Sequence, residues 1–172
     1  AKQKFKYPKA KYYLGMMYKY GDGVDENIVL ANKWFSKAFD IFQKDSKKGD
    51  RDAKYYLALM FYEGYSINQD YLKAFEIFHE LACNDYADAQ YYLGLMYYNG
   101  EGLEKDYRQA FEWYCKAAEN GDMDAQYDLG NMYYDGVGID KDSEKAFGWY
   151  LQAAAKGHDE AMEIIQNMYG GQ

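Results

Sequence analysis

The sequence predicts an all-α fold, an α-solenoid of about four and a half helix–turn–helix repeats of 36 residues. The first observation is a short pattern of alanine, leucine and glycine that recurs along the chain at fixed spacing. The second is that Pro8 is the single proline in 172 residues, since proline breaks helix interiors. The third is a hydrophobic content of 49%, which is enough for a sizeable core. By analogy with other helix-pair arrays, we expect a right-handed superhelix.

The repeats are defined by copies of one pattern that begin at Ala10, Ala53, Ala89 and Ala125. They predict a single domain over residues 1–172, with repeats at about 8–51, 52–87, 88–123 and 124–159 and a capping helix at 160–170. The first repeat is seven residues longer than the others, and the extra residues fall near 39–48. Seven residues are about two helical turns, so we predict a longer second helix in this repeat.

Each repeat is predicted to contain two helices joined by a glycine turn. In the third repeat, Ala89, Leu93 and Tyr97 form one stripe of the first helix. Glycine in a helix costs about 1 kcal/mol relative to alanine. Because glycine nevertheless recurs at the position of Gly94, at Gly15 and Gly130, we predict that a second helix crosses closely there. Gly100 suits the left-handed cap that ends the first helix, and an acid or amide then caps the second. The capping residues are Asn27, Asp70, Asp106 and Asp142.

Residues 89–121 resemble the Sel-one-like repeat, a relative of the tetratricopeptide repeat. The family pattern is A-x-x-x-L-G-x-x-Y-x-x-G-x-G-V, then D or N, then A-x-x-W-Y-x-K-A-A, and it is matched nearly throughout. The resemblance covers almost the whole chain. It implies a solenoid that scaffolds other proteins, because bacterial members act as adaptors, signalling regulators, host-interaction factors and immunity proteins. Eighteen lysines against two arginines also suggest a bacterial, AT-rich genome.

The resemblance to tetratricopeptide repeats also implies that fixed positions of each first helix face a shared concave groove. We predict that these positions bind a partner. They are Tyr12, Tyr55, Leu59, Tyr62, Asp88, Tyr91, Leu95, Tyr98, Asn99, Tyr127, Asn131 and Tyr134. They include one tyrosine series, Tyr12–Tyr55–Tyr91–Tyr127, and a second series, Tyr62–Tyr98–Tyr134. The tyrosines assigned to the core are Tyr13, Tyr18, Tyr97 and Tyr133.

Tyrosine at these positions suggests the chemistry of the partner. It offers a large rigid ring and a hydroxyl group, which suit protein contacts. Acidic residues flank the tyrosines, so the groove suits an extended or helical segment that carries lysine or arginine. The same tyrosines can instead pack neighbouring helices together. We therefore predict a non-enzymatic interaction scaffold or adaptor that binds a protein or peptide with basic residues.

The charge distribution restricts the partner further. The net charge is −8, yet residues 1–11 carry five lysines and no acid, leaving 15 basic against 28 acidic residues elsewhere. Such a body repels nucleic acid, and no run of about eighteen apolar residues predicts a transmembrane segment. The lysine-rich start can contact a membrane or an acidic partner, or remain solvated. A chain beginning at Ala1 favours export to the periplasm or the medium.

Known cofactor and metal motifs are not matched, and no cofactor is predicted. The Gly-x-Gly turns lack the third glycine and preceding strand of a nucleotide site. Acidic residues 135–144 lack the spacing of a calcium loop. His79, Cys83 and Cys115 can approach one another on adjacent second helices but are few for a metal site. The two cysteines are expected either to form a disulfide or to stay isolated thiols.

Catalytic constellations are also missing from the sequence pattern. Its two histidines, His79 and His158, lie in different repeats, and none of the four serines adjoins either of them. Two alternatives to a scaffold remain: an immunity protein that neutralises a secreted toxin, and a hydrolase acting on a cell-wall or small-molecule substrate. A third is a structural element that joins larger domains.

Overall fold

The computed structural model describes residues 7–170, with side chains through residue 168. This range contains nine α-helices and no strands, as the repeat pattern predicts. The helices are α1 Pro8–Tyr20, α2 Ile28–Ser46, α3 Arg51–Glu63, α4 Tyr71–Ala82, α5 Ala87–Asn99, α6 Tyr107–Glu119, α7 Met123–Asp135, α8 Ser143–Ala155 and α9 Asp159–Gly170. Within the described range, no helix combines the length and apolar character needed to cross a bilayer. The lysines at positions 2, 4 and 6 lie outside the described residues.

The chain divides into two compact units, Ala1–Ile77 (unit 1) and Phe78–Gln172 (unit 2). The boundary falls inside α4. In unit 1, α2 packs against both α1 and α3. In unit 2, each helix from α5 to α9 packs against the next one along the chain. Packing between sequence neighbours is what a helix-pair array requires.

The predicted helix ends are confirmed. Asp106 accepts hydrogen bonds from the backbone amides of Arg108 and Gln109, both at 3.0 Å. Asn27, Asp70 and Asp142 each accept one such bond at the start of their own helices. The glycines that end the first helices, at positions 21, 64, 100 and 136, all have φ between 71° and 75°. Local sequence signals therefore set these boundaries.

Ser66 departs from the glycine found at this turn position in the other repeats. Gly23, Gly102 and Gly138 occupy the same position and have positive φ. Ser66 adopts φ 59°, a left-handed conformation that costs a residue with a Cβ atom about 1 kcal/mol. Its hydroxyl oxygen is also buried and has no hydrogen-bond partner among the described residues. The turn of the second repeat therefore has the same backbone conformation as the other turns, but with strain at Ser66.

The helical glycines confirm the predicted close crossing. A Cβ atom built on Gly15 would lie 2.6 Å from the Phe35 ring. A Cβ atom on Gly94 would lie 2.5 Å from Cε1 of Tyr114. Phe35 and Tyr114 occupy the same position of their second helices, and both are buried. A large ring of the second helix thus packs directly on the backbone of the first, where no side chain fits.

The insertion in the first repeat lengthens α2, as predicted. The helix has 19 residues, and the buried Phe42 continues its apolar stripe. The ring of Phe42 stacks on that of Tyr56 in α3, with centroids 5.1 Å apart and planes at 7°. One repeat later, Phe78 stacks on Tyr92 in the same way, at 4.9 Å and 13°. The two added turns keep an aromatic ring against the helix that follows.

One predicted core tyrosine is wrongly placed. Tyr13 is 53% exposed, although it occupies the repeat position of the buried Tyr56. Tyr56 is covered by Phe42 of the preceding second helix, whereas Tyr13 belongs to the first described helix and no ring of a preceding helix covers it among the described residues. The hydroxyl groups of Tyr13 and Tyr56 instead form a hydrogen bond with each other, with their oxygens 2.9 Å apart. The other predicted core tyrosines, Tyr18, Tyr97 and Tyr133, are half-buried.

Candidate functional site

Unit 2 carries two adjoining pockets, which we call the unit 2 groove. The smaller pocket has a volume of 150 Å³, and it is lined by Leu95, Tyr98, Asn99, Tyr114, Asp128, Asn131 and Met132. The larger has a volume of 490 Å³, and it is lined by Asn131, Tyr134, Asp135, Tyr150, Ile164, Asn167 and Met168. Asn131 belongs to both linings, so the pockets adjoin at the middle of α7. The groove is thus formed by side chains of α5 to α9.

The groove lies in the acidic part of the chain. Residues 78–172 contain six basic and eighteen acidic residues, a formal charge of −12. Residues 1–77 contain fourteen basic and ten acidic residues, a formal charge of +4. No basic residue lines either pocket of the groove. The potential at this site therefore favours a cationic ligand.

Asp128 introduces a carboxylate at a position that is aromatic in the earlier repeats. Tyr56 and Tyr92 hold this position in α3 and α5, and each stacks on a phenylalanine of the preceding helix. In the repeat that follows Phe78, Tyr114 stands at the position of that phenylalanine. A phenol and a carboxylate therefore stand where two rings stack one repeat earlier. Both Asp128 and Tyr114 line the smaller pocket.

Burial strongly affects the titration of Asp128. Desolvation raises the pKa of its carboxyl to about 6, and the nearby charge of Asp124 acts in the same direction. Hydrogen bonding by the hydroxyls of Tyr91 and Tyr114 favours the charged form and partly offsets this rise. Burial likewise raises the pKa of the Tyr114 hydroxyl. The smaller pocket is thus a poorly solvated environment for a negative charge.

A second carboxylate nearby shares this behaviour. Asp122 caps α7 by accepting a hydrogen bond from the backbone amide of Ala125 at 2.8 Å. Desolvation raises the pKa of Asp122 to about 6, against the effect of this bond, and the charges of Asp124 and Asp88 add to the rise. Asp122 therefore lies close to the charges of two further acids, Asp124 and Asp88.

His158 supports the wall of the groove from the start of α9. Its ring stacks on Tyr127, with centroids 4.3 Å apart and planes at 20°. Its Nδ1 atom accepts a hydrogen bond from the backbone amide of Ala161 at 3.3 Å, so the imidazole caps α9. The Nε2 atom lies 3.6 Å from Oδ1 of Asp124. These contacts make His158 a structural residue that fixes the Tyr127 ring.

The first tyrosine series packs against second-helix tyrosines in unit 2. Tyr91 lies 5.7 Å from Tyr114 between ring centroids, and Tyr127 lies 5.9 Å from Tyr150. The Tyr150 hydroxyl donates a hydrogen bond of 2.8 Å to Oδ1 of Asn131. Burial raises the pKa of Tyr150 to about 12. These rings therefore both pack the helices together and form the wall beside the groove.

The second tyrosine series becomes more exposed along the chain. Tyr62 is 8% exposed and packs edge-on against Tyr71, at 5.3 Å. Tyr98 is half-buried and packs on Tyr107 at 5.1 Å in the same geometry. Tyr134 is 50% exposed, because the equivalent residue of its repeat is Ser143, which has no ring to cover it. The last member is therefore the most exposed of the series, and its ring also lies 4.9 Å from Nζ of Lys141.

The structure brings part of the predicted binding set into one place. Five of the predicted residues line the unit 2 groove. They are Leu95, Tyr98, Asn99, Asn131 and Tyr134. Tyr91 and Tyr127 lie in the adjacent wall, and Asp88 is exposed at the start of α5. Whether these residues bind a partner stays a prediction.

Three predicted binding residues of unit 1 require correction, because they lie in the core. Tyr12 is 6% exposed and packs between Phe35 and Tyr56, with centroids 5.7 and 5.2 Å away. Leu59 and Tyr62 are equally well buried. Helix periodicity placed all three correctly on α1 and α3, but the rings of neighbouring helices cover them. Tyr55 is half-buried, and its ring packs edge-on against Tyr56.

Several groove residues were missed by the sequence reasoning. They are Tyr114, Asp128, Met132, Tyr150, Ile164, Asn167 and Met168. The prediction considered mainly first-helix positions, whereas second helices and the capping helix also reach the groove. Asp128 left one signal in the sequence, since it breaks the tyrosine pattern of the preceding copies.

The residues considered for metal or redox chemistry lie apart from the groove. Cys83 and Cys115 are both free thiols. Cys83 Sγ lies 3.8 Å from Nδ1 of His79, one turn earlier on the helix. Burial raises the pKa of Cys115 to about 11, so its thiol stays protonated near neutral pH. Among the described residues, no group of three or more histidine, cysteine or acidic side chains is arranged to hold a metal ion.

The fold and the repeated turn, cap and crossing geometry define an all-α solenoid of helix-pair repeats. The Sel1 repeat model matches residues 8–40, 51–86, 87–122 and 124–158. The chain therefore belongs to the Sel1 repeat family. Members of this family are in general protein-interaction scaffolds rather than catalysts. No curated protein matches the chain.

Solved structures with the same repeat support this assignment. The chain is 31% identical to c5321, a protective antigen of uropathogenic Escherichia coli with an SLR fold, at a TM-score of 0.70. It is 32% identical to a Sel1 repeat protein from Oxalobacter formigenes, at a TM-score of 0.66. Each alignment covers 95% of this chain, but 33% and 62% of the other chain. Cysteine rich protein B of Helicobacter pylori is 26% identical at a TM-score of 0.61, covering 77% of this chain and 96% of that chain.

Proposed function

We propose that the chain is a protein-interaction module that binds a basic segment of a partner protein in the unit 2 groove. One observation carries the proposal: exposed apolar and aromatic side chains line a pocket that also contains a carboxylate. Tyr134 and Met168 are 50% and 52% exposed, and both line the larger pocket, which Asp135 also lines. Exposed aromatic and methionine side chains in a concave site are typical of peptide-binding surfaces.

The lining of the groove supports binding rather than catalysis. The smaller pocket contains one carboxylate, Asp128, and neither a histidine nor a serine. Acid–base hydrolysis needs a second group that exchanges protons near neutral pH, whereas burial raises the pKa of both tyrosines in this pocket, Tyr98 and Tyr114. The family relationship supports the same choice. The alternatives of an immunity protein and a hydrolase stay predictions from the sequence.

A wider recess on the turn side of unit 2 is a weaker candidate. It has a volume of 950 Å³ and is lined by charged side chains of both signs. Lys145 pairs there with Asp142 at 3.3 Å, so part of this charge is already neutralised within the chain. The groove, in contrast, has carboxylates without basic residues in its lining. Charge complementarity therefore favours the groove as the partner site.

Peptide selection tests the proposal. Random dodecapeptides displayed on phage are selected against the whole chain, and enriched peptides are synthesised for fluorescence polarisation. The double variant Tyr134→Ala/Met168→Ala should bind them about tenfold or more weakly, because two exposed contact residues are lost without disturbing the core. Leu151→Ala removes a residue of unit 2 that is 42% exposed and outside the groove, and it should bind like the parent.

The opposite results would contradict the groove. Peptides that bind the parent and the double variant equally would use another surface. Selection that enriches no peptide sequence would contradict the peptide-binding role itself. Circular dichroism of each variant verifies that the helices persist, so that lost binding is assigned to the groove.

A further inference from the structure

We propose that the smaller pocket of the unit 2 groove is a lysine-binding pocket, in which the Asp128 carboxylate receives the ammonium group of a partner lysine. This inference rests on the proposed function and specifies the chemistry of one position in the partner segment. It assigns Asp128 a binding role that periodicity did not suggest. The larger pocket, around Tyr134 and Met168, would hold neighbouring apolar residues of the same segment.

The position of Asp128 in the repeat carries the argument. Where Tyr92 stacks on Phe78, the interior is filled by two rings 4.9 Å apart. The replacement of this pair by Asp128 and Tyr114 leaves a cavity of 150 Å³ with a carboxylate in its wall. A partly buried carboxylate is costly unless a counter-charge approaches it. A lysine side chain provides that charge, and its methylene stem fills the apolar part of the cavity.

The lining of the pocket matches an alkylammonium group. An ammonium group carries three donors, and the pocket offers side-chain oxygens of Asp128, Asn99 and Asn131. Tyr98 and Tyr114 supply aromatic rings for the stem and for cation–π attraction. Leu95 and Met132 complete an apolar wall. No basic residue of the chain lines this pocket, so the site has room for a partner's charge.

Unit 1 already contains a lysine bound by the same types of group. Lys9 Nζ lies 2.6 Å from Oδ2 of Asp52 and 5.3 Å from the centroid of the Tyr56 ring. The hydrogen bond to Asp52 raises the pKa of Lys9, as expected for a stabilised ammonium group. This arrangement is exposed, whereas Asp128 lies mostly below the surface. A lysine at Asp128 would therefore gain more from the interaction, because water screens it less.

Lysine fits this pocket better than arginine. A guanidinium group gains its advantage from bidentate binding to a carboxylate with two free oxygens. The hydroxyls of Tyr91 and Tyr114 already interact with the Asp128 carboxylate by hydrogen bonding. One remaining face of the carboxylate suits a compact, single-point cation. The cavity volume of 150 Å³ also favours a narrow chain over a planar group.

Substituted peptides test the inference with the whole chain. A peptide selected on the parent, and sensitive to Tyr134→Ala/Met168→Ala, is synthesised with each lysine replaced in turn by norleucine or arginine. At one position, norleucine should weaken binding to the parent about tenfold or more, and arginine should weaken it less. With Asp128→Asn, the lysine and norleucine peptides should bind alike. Asp135→Asn, which changes an exposed acid of the same groove, should preserve the parent's preference for lysine.

The pH dependence of binding gives an independent readout. Burial raises the pKa of Asp128 to about 6, so below that pH its carboxylate becomes neutral. Binding of the lysine peptide should weaken about tenfold between pH 7 and pH 5, and the norleucine peptide should show no such change. The groups around Asp128 are Tyr91 and Tyr98 of α5, Tyr114 of α6, Asp124 of α7, Tyr150 of α8 and His158 before α9. Any pH dependence of binding that comes from these other groups should remain in the Asp128→Asn variant, so the difference between parent and variant reports Asp128 itself.

The outcomes separate this inference from the function on which it depends. Peptides that need Tyr134 and Met168 but no lysine would overturn the lysine pocket and leave the groove intact. A lysine preference that persists in Asp128→Asn would also overturn it. A lysine preference lost in Asp128→Asn and kept in Asp135→Asn would establish the pocket. Peptides insensitive to all groove variants would contradict the proposed function itself.

Discussion

The Asp128 carboxylate lies beside the phenol of Tyr114 at the position where, one repeat earlier, the rings of Tyr92 and Phe78 stack. Both members of the pair change together, so a packing contact becomes a polar one without a change in the helix backbone pattern. Both of the exchanged residues, Asp128 and Tyr114, line the smaller pocket of the groove. Repeat proteins can acquire sites in this way, because each repeat keeps the fold while one pair of positions varies.

The exchange at Asp128 predicts a pH-dependent change in stability. Because the pKa of Asp128 rises from 3.8 to about 6 on folding, the folded chain binds more protons between these values. The free energy of unfolding therefore falls as pH rises through this window, and the loss persists above it. Asp128→Asn should be more stable than the parent by on the order of 2 kcal/mol near pH 7, and equal to it near pH 4.

Urea unfolding across this pH range measures that difference. The control is Asp40→Asn, which makes the same substitution at an exposed acid of α2 and removes no buried charge. A stability difference for Asp128→Asn that does not vary with pH would contradict the assigned burial of its charge.

Replacing Gly94 by a larger residue should lower the free energy of unfolding. In Gly94→Ala, the new methyl group would meet the Tyr114 ring at about 2.5 Å, so ring or helix must move. Overpacking of this kind costs about 1–3 kcal/mol, which exceeds the helix-propensity gain of about 1 kcal/mol. Gly148→Ala is the matched control, because a methyl group there meets no atom within 4 Å. Chemical unfolding should show Gly94→Ala destabilised and Gly148→Ala stabilised; equal effects would argue against a tight crossing.

Substitution by alanine should have unequal effects on stability at two members of the second tyrosine series, Tyr62 and Tyr134. Tyr62→Ala should lower the free energy of unfolding by about 3 kcal/mol, because a buried ring packed on Tyr71 is removed. Tyr134→Ala should change it by less than about 1 kcal/mol, because half of that ring is already in water. Thermal and urea unfolding distinguish the two. Similar losses would mean that Tyr134 packs as its equivalents do and is not free for a partner.

Ser66 predicts a stabilising substitution. Ser66→Gly should raise the free energy of unfolding by about 1 kcal/mol, because it relieves a left-handed φ of 59° and removes a buried hydroxyl with no partner in the described structure. Ser36→Gly, at an exposed site within α2, should instead lower it by about 1 kcal/mol. Differential scanning calorimetry compares their melting temperatures. Destabilisation by Ser66→Gly would show that its hydroxyl has a favourable role.

The sequence by itself determined the repeat period, the number and ends of the helices, and the close crossing at Gly94. These features depend on local chemistry: glycine at left-handed caps, acids and amides at helix starts, and small residues at fixed spacing. The periodicity also placed Leu95, Asn131 and Tyr134 on the faces that line the groove.

Only the tertiary structure decided which tyrosines are exposed and where a pocket opens. The exposure of Tyr62 and Tyr134 differs because Tyr71 faces one and Ser143 stands at the equivalent place for the other. Tyr12 is buried by rings of neighbouring helices that its own helix pattern does not reveal. The space at Asp128 likewise depends on its partner across the helix interface. Burial is a property of facing residues, so the spacing along one helix cannot specify it.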